Sequence, residues 1–426
     1  MAKNKLPAMM CAAALFLSVL AGCVTPVETR IPSPSTEELA LISPAVGYLA
    51  ARAEACEGFL YVADAGEGES GFAYVYESAV ALIALSSAGA DWHVQLIADA
   101  LVWAMDHDRY FDDGRLRNAY VGGNPHKESG WSFVGGAESV RLPGIWKDGR
   151  WLEDYYAVST STGNMAWAIL ALCEAARSAP PAKAAAYSTA AVKAADFVML
   201  LRSDTGGFTG GYEGWDKEQT KAMYKSTEHN IDLISAFSSL AELLNTSDPA
   251  KAAQYRDASV YAEAFVLTMY DEERHCFYTG TEDDGLTLNK GVLPLDTNTW
   301  AILALGDSFA DAELVVSFVE ENIAVGDGFD FSAEDLNGIW HEGTAQMAVC
   351  YKILGNSDAY TRVMAYLDGQ TAADGSITAA DRDGLSTGFM VSGTNVMWQY
   401  DNQTNLGATS WLALAQLGAN PLHKRS

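Results

Sequence analysis

Two kinds of apolar pattern alternate along the 426-residue chain. The first is amphipathic. Apolar side chains recur at helical spacing with charge on the other face, as in Tyr255, Val260, Ala264 and Leu267. It predicts helices over residues 36–55, 94–105, 182–201, 250–270, 309–323 and 357–367. The second pattern is apolar nearly all round, as in Ile169-Leu170-Ala171-Leu172 and Ile302-Leu303-Ala304-Leu305. Each stretch of this second kind opens on a small polar cluster. The clusters are Tyr76-Glu77-Ser78, Thr162-Gly163-Asn164, Ser226-Thr227-Glu228-His229-Asn230, Asp296-Thr297-Asn298, Trp340-His341-Glu342-Gly343-Thr344 and Leu406-Gly407-Ala408-Thr409. A helix that is apolar on every side is buried. Six buried helices alternating with six amphipathic ones predict two concentric layers, beginning with an outer helix and ending with an inner one.

Long aromatic-rich segments precede the inner helices, at 112–161, 206–225, 275–295 and 369–405. Short Gly/Asp turns such as Asp204-Thr205-Gly206-Gly207 follow outer ones. This asymmetry places the elaboration, and hence the function, on the face where the inner helices start. Part of it is expected to form β-hairpins, for instance Phe277-Tyr278-Thr279 with Leu286-Thr287-Leu288.

Helical hairpins repeated in this way resemble the (α/α)6 toroid of the six-hairpin glycosidase superfamily. The resemblance implies an all-α fold of six hairpins at 37–420, carrying the catalytic centre, with a tail at 421–426.

The N-terminal residues read as a processing signal. Lys3 and Lys5 precede an apolar run from Met9 to Leu20, too short for a spanning helix and followed by Ala21-Gly22-Cys23. That ending resembles a bacterial lipobox, which implies a signal peptide at 1–22, cleavage before Cys23 and lipid on its thiol. Residues 23–36 then form a tether, and the protein is expected to be an envelope lipoprotein held to a membrane by its lipid. Val24 rather than Asp follows the cysteine, which favours the outer membrane in a Gram-negative host.

A net charge of -28 excludes nucleic acid and anionic lipid as partners and favours a neutral or cationic ligand. Cys173 and Cys350 read as core thiols, while Cys56 and Cys276 lie near element ends and leave a disulfide open. Neither zinc spacing nor a nucleotide-binding loop is present, so no metal and no cofactor are expected. A monomer acting on carbohydrate is the expected working form.

Sugar hydrolysis needs two carboxyl groups, one protonated for the leaving oxygen and one ionised as nucleophile or base. A glutamate in a helix's first turn is often a cap, favoured by the free N–H groups and the dipole. Glu342 and Glu228 sit among more polarity than a cap requires and are the expected pair, with Glu77, Asp64 and Asp154 in reserve. Substrate contacts are expected from His229, Asn230, Asn164, Asp296, Asn298, Trp340 and His341 at the helix starts. Tyr155, Tyr156, Trp215, Tyr224, Trp398 and Tyr400 are expected to stack on sugar faces. Trp167, Trp300 and Trp411, deeper in the inner helices, read as core. The expected function is a lipid-anchored glycoside hydrolase for a neutral oligo- or polysaccharide. The alternatives are a lyase or epimerase on the same toroid, the lyase needing a cation such as Lys225, and a non-catalytic glycan-binding lipoprotein.

Overall fold

The computed structural model describes residues 33–62, 71–126, 139–390 and 396–425. The signal peptide and Cys23 lie outside them, as does Asp64. Fourteen α-helices are present among the described residues. In chain order they are α1 (Thr36–Ile42), α2 (Pro44–Cys56), α3 (Val75–Ser87), α4 (Asp91–Asp106), α5 (Tyr155–Val158), α6 (Thr162–Ser178) and α7 (Pro181–Met199). There follow α8 (Thr227–Leu244), α9 (Pro249–Thr268), α10 (Leu295–Leu305), α11 (Ala312–Asn322), α12 (His341–Leu354), α13 (Ser357–Gln370) and α14 (Leu406–Leu417).

Six of them close a ring. Helix α3 packs on α6, α6 on α8, α8 on α10, α10 on α12, α12 on α14, and α14 back on α3. The amphipathic helices α2, α4, α7, α9, α11 and α13 pack outside that ring. Inner helices are buried almost throughout: in α10 every residue from Leu295 to Leu305 is buried. The predicted two layers and their order are therefore those observed.

Three details depart from the sequence reading. The first outer helix is two, because Pro44 has no N–H to donate and holds Ser43 extended (φ -154°), so that Ser43 caps α2 instead of continuing α1. Phe277 pairs not with the 286–288 segment but back with Tyr270, while Gly280 and Thr281 pair with Asn289 and Leu288. Residues 421–425 are no loose tail: Leu422 is fully buried, its carbonyl accepts from Ser235 Oγ, and Lys424 pairs with Glu263. All four described cysteines are free and buried.

Registration of the inner helices explains the repeated polar starts. The fourth residue of each inner helix accepts a backbone N–H from the loop leading out of the preceding outer helix. Ser78 takes it from Leu60 at 3.3 Å, the Met165 sulfur from Leu116 at 3.2 Å and Asn230 from Phe208 at 2.8 Å. Asn298 takes it from Phe277 at 2.9 Å, Thr344 from Phe329 at 3.0 Å and Thr409 from Ile377 at 3.2 Å. Each donor residue buries an apolar side chain, so the clamp supplies the partner its buried N–H requires. This position is polar, or soft sulfur, for a reason of architecture.

Candidate active site

With the fourth positions level, the second and sixth residues of the inner helices define two layers. They lie one turn apart, on the face of each helix that looks to the ring axis. The upper layer reads, in ring order from α3, Tyr76, Gly163, Glu228, Asp296, Glu342 and Gly407. The lower reads Val80, Trp167, Asp232, Trp300, Gln346 and Trp411. Contacts between helices that are not neighbours in the ring confirm the direction. Trp167, Trp300 and Trp411 come from alternate helices, and their rings meet at centroid distances of 5.3 to 6.0 Å. They plug the axis. Tyr76 stands on this plug, 5.3 Å from Trp167 and 6.1 Å from Trp300.

Above the plug the site is one-sided. Three consecutive helices, α8, α10 and α12, carry carboxylates in the upper layer, and the opposite three carry Tyr or Gly. Both glycines make room for a polar side chain of another inner helix. A Cβ on Gly163 would fall 2.5 Å from the His229 ring, and one on Gly407 2.5 Å from Glu342 Oε2. Glu77, the third residue of α3, accepts from Asn405 Nδ2 at 3.1 Å and faces the same enclosure.

Burial sets the acidity of this group. It pushes Glu342 up to about 8, helped by the charges of Glu77 and Asp296 and opposed by the hydrogen bond from Tyr76. Glu77 is pushed up to about 7 by burial, against the hydrogen bonds from Asn405 and the Gly407 backbone. Asp296 rises to about 6 by burial, held back by the Thr297 N–H at 2.6 Å. Glu228 lies well above the usual carboxylate range, from desolvation first and then from Asp296 and Glu342. Its carboxylate accepts no hydrogen bond among the described residues. Asp232, one turn below on the same face, is fully buried and raised by desolvation, then by Glu228 and Asp296. The Trp167 indole N–H opposes that rise, although neither group makes a hydrogen bond of good geometry.

The Tyr76 hydroxyl accepts from the Trp411 indole at 2.8 Å and donates to Glu342 Oε1. No arginine or lysine is among the groups that set the acidity of these five carboxyls. Like charges crowded in low dielectric cannot all ionise, so the cluster holds protons at neutral pH.

Structures of known proteins share this architecture. The chain aligns with a glycosidase at TM-score 0.58 and 12% identity, over 91% of this chain and 99% of that one. The fold is an (α/α)6 toroid, which these structures share. An alpha-amylase from Clostridium perfringens aligns on the toroid at TM-score 0.54 and 12% identity, over 88% of this chain and 97% of that one. A cellobiose 2-epimerase from Bacillus thermoamylovorans does so at 0.56 and 10%, over 87% and 95%. No family profile matches the sequence, and no curated protein does.

The toroid brings together Glu342, Glu228, Glu77 and Asp296. Tyr400 joins them: its hydroxyl is raised well above its ordinary value by burial and then by those same four carboxylates. Tyr156 stands at the mouth. Asn164 Nδ2 approaches its hydroxyl at 3.4 Å, and enclosure of that hydroxyl raises it to about 12. Trp398 meets the Tyr156 ring at 5.7 Å, and Tyr155 meets Trp215 at 5.0 Å. Tyr224 lies against Gly210, with burial and then Glu213 raising its hydroxyl.

Other expectations are corrected. Asn230 and Asn298 are clamps whose side-chain amides are spent on Phe208 and Ser226, and on Phe277 and Pro294. Asn164 is likewise occupied, binding the Tyr76 N–H, Asn118 and Ser161. His341 points outward, with Nδ1 on the Thr378 carbonyl and Nε2 on the Tyr366 hydroxyl. Trp340 is buried behind Tyr400, stacked at 5.7 Å. Asp154 caps α5, accepting from the Ala157 N–H. Lys225 reaches Thr205 Oγ1 at 2.6 Å.

Three polar members of the layers, Asp232, Tyr76 and Gln346, lie outside the expected site residues. An acid four residues after Glu228, inside the apolar run Ile231-Asp232-Leu233-Ile234, was the available signal for the first.

Proposed function

We propose that the protein is a glycoside hydrolase for a neutral saccharide, with Glu228 as general acid and Glu342 as base or nucleophile. One observation carries the reading. Glu228 and Glu342 occupy the same position on α8 and α12, one helix apart, in contrasting surroundings. Glu228 is desolvated, flanked by acids and without a hydrogen-bond donor among the described residues, so it keeps a proton. Glu342, itself raised to about 8 by burial, accepts from the Tyr76 hydroxyl, which opposes that rise and leaves it the more readily ionised of the two. Environments that push two carboxyl groups apart in this manner are what glycosidic cleavage requires. No cation stands among these carboxyls in the described residues, which suits an uncharged sugar, and Lys225, the cation a lyase would call on, is seated on Thr205. Release of reducing ends from a neutral glycan panel, abolished in Glu228→Gln and in Glu342→Gln, is the expected result. Activity surviving both substitutions would sink the assignment.

A second reading is favoured by His229. Its ring lies over Gly163, burial holds it down to about 4, and Nδ1 has no partner among the described residues, so it is a neutral base at the rim. An epimerase would use it to exchange a proton on the sugar. Incorporation of solvent deuterium into a product of unchanged length identifies that chemistry.

The N-terminal signal adds export and anchoring through Cys23. No described helix is long and apolar enough to cross a membrane. Labelling with a radioactive fatty acid, lost in Cys23→Ser, tests the anchor.

A further inference from the structure

Four exposed aromatic side chains lead away from the carboxylates. Tyr156 and Trp398 stand at the funnel mouth, 38% and 40% exposed. Tyr155 and Trp215, 37% and 45% exposed, form the next pair. Consecutive residues of α5 supply one tyrosine to each pair, and neighbours on a helix face different directions. Tyr156 thereby turns towards Glu228 and Glu77, and Tyr155 towards Trp215. On the other wall the strand Met397–Tyr400 places Trp398 and Tyr400 on one face, Tyr400 over the carboxylates and Trp398 further out.

The backbone under the outer pair is held by buried charge. Arg117, whose side chain is fully buried, binds Asp108 at 2.6 Å, Asp216 at 2.9 Å and the Val158 carbonyl at 2.8 Å. Arg109 binds Asp216 at 2.9 Å and also Glu153. Asp216 adjoins Trp215, while Glu153 and Val158 bracket the two tyrosines. The Trp215 indole itself donates to the Glu153 carbonyl at 3.3 Å. Burying ion pairs costs several kcal/mol of desolvation. Here that cost fixes backbone whose side chains remain in solvent, an arrangement the core does not need.

Resting on the glycosidase reading, we propose that Tyr156, Trp398, Tyr155 and Trp215 are a rigid outer track that binds sugar units beyond the cleaved bond. The preferred substrate is then an extended chain of neutral hexoses, not a disaccharide. Ring faces stack on the apolar C–H faces of such a chain without any need for charge, and preorganised rings lose little entropy on binding it.

The test uses malto- and cello-oligosaccharide ladders of two to six units with the full protein and two variants, Trp215→Ala and Trp398→Ala. In the wild type kcat/KM should climb with chain length on one ladder. Trp215→Ala should lower kcat/KM on the longest member roughly tenfold more than on the dimer, acting on KM, and Trp398→Ala should truncate the length dependence at a shorter chain. Affinity for the same ladders is measured in Glu342→Gln, with and without Trp215→Ala, to read the track without turnover. Length-dependent binding that needs Trp215, in a protein that cleaves nothing, would keep the track and overturn the hydrolase. Cleavage without length dependence, or no binding to either ladder, would overturn the track. Unfolding transitions of both variants should match the wild type, since the substituted rings are exposed.

Discussion

Tyr76 of α3 donates its hydroxyl hydrogen to Glu342 of α12, past the helix that lies between them, α14. The α14 residue level with both is Gly407, and only the lack of a side chain there leaves Glu342 Oε2 its place. Gly407→Ala should therefore move a carboxylate rather than a backbone. Activity is expected to fall about a hundredfold, since misplacement by about 1 Å costs that much. Stability should change by no more than about 1.5 kcal/mol, because the atom displaced is the end of a flexible side chain. Steady-state kinetics and urea unfolding of the one variant read both. A loss of stability without a loss of activity would contradict the placement of Glu342.

Tyr76→Phe removes the donor that favours ionised Glu342, so that carboxyl should become less acidic. If Glu342 must be ionised for catalysis, the acid limb of the kcat/KM profile moves to higher pH. The Trp411 indole also loses its acceptor, at a cost of about 1–2 kcal/mol. A profile that keeps its acid limb while activity falls would assign that limb to another group.

Raised carboxyls make the folded protein a proton acceptor. Glu77, Asp296 and Glu342 titrate in the unfolded chain near their ordinary values of 4.5, 3.8 and 4.5 and in the toroid at about 7, 6 and 8. Between those ranges the folded state holds protons that the unfolded state releases. Their contribution is thus most favourable below pH 4 and is lost as pH rises through 6 to 8. Glu342→Gln mimics the protonated form permanently. It should stabilise the protein by about 1–3 kcal/mol at pH 8 and by little at pH 4, a stability gain at the expense of function. Denaturant unfolding at both pH values checks this, and a gain independent of pH would refute the linkage.

The clamps predict the opposite behaviour. Asn298→Ala leaves the buried Phe277 N–H without its acceptor, which should cost about 2–3 kcal/mol. Because the Asn298 amide is committed to backbone groups, kcat/KM per folded molecule should change less than about threefold. A large kinetic defect in a stable variant would return Asn298 to the substrate.

These two classes of residue were entangled in the sequence. The double layer was legible because burial on all sides erases amphipathicity, and MAWAILAL against TWAILAL shows it directly. The rim was legible as a set of polar helix starts, but not its division of labour. Asn230 and Glu228 stand two residues apart in one cluster, yet one binds a loop backbone and the other faces the axis. Only the 100° step of the helix, counted from a known first residue, separates them. His341 and Glu342 illustrate the same limit: adjacent residues, one turned to α13 through Tyr366 and the other to Tyr76. Tyr76, named in a polar helix start, was not legible as a site residue because a tyrosine there looks like packing until its partner from a distant helix is seen.

Closure of the ring by α14 on α3 has a temporal meaning. Glu228, Asp296 and Glu342 lie on helices consecutive in the ring, but the Tyr76 that orients Glu342 is seated by Trp411 from the last inner helix to be synthesised. Until that helix docks, the tyrosine lacks its indole donor and the axis lacks a third of its tryptophan plug. A chain emerging from N- to C-terminus would carry all five carboxyls well before Tyr76 is seated, and the docking of α14 completes their setting.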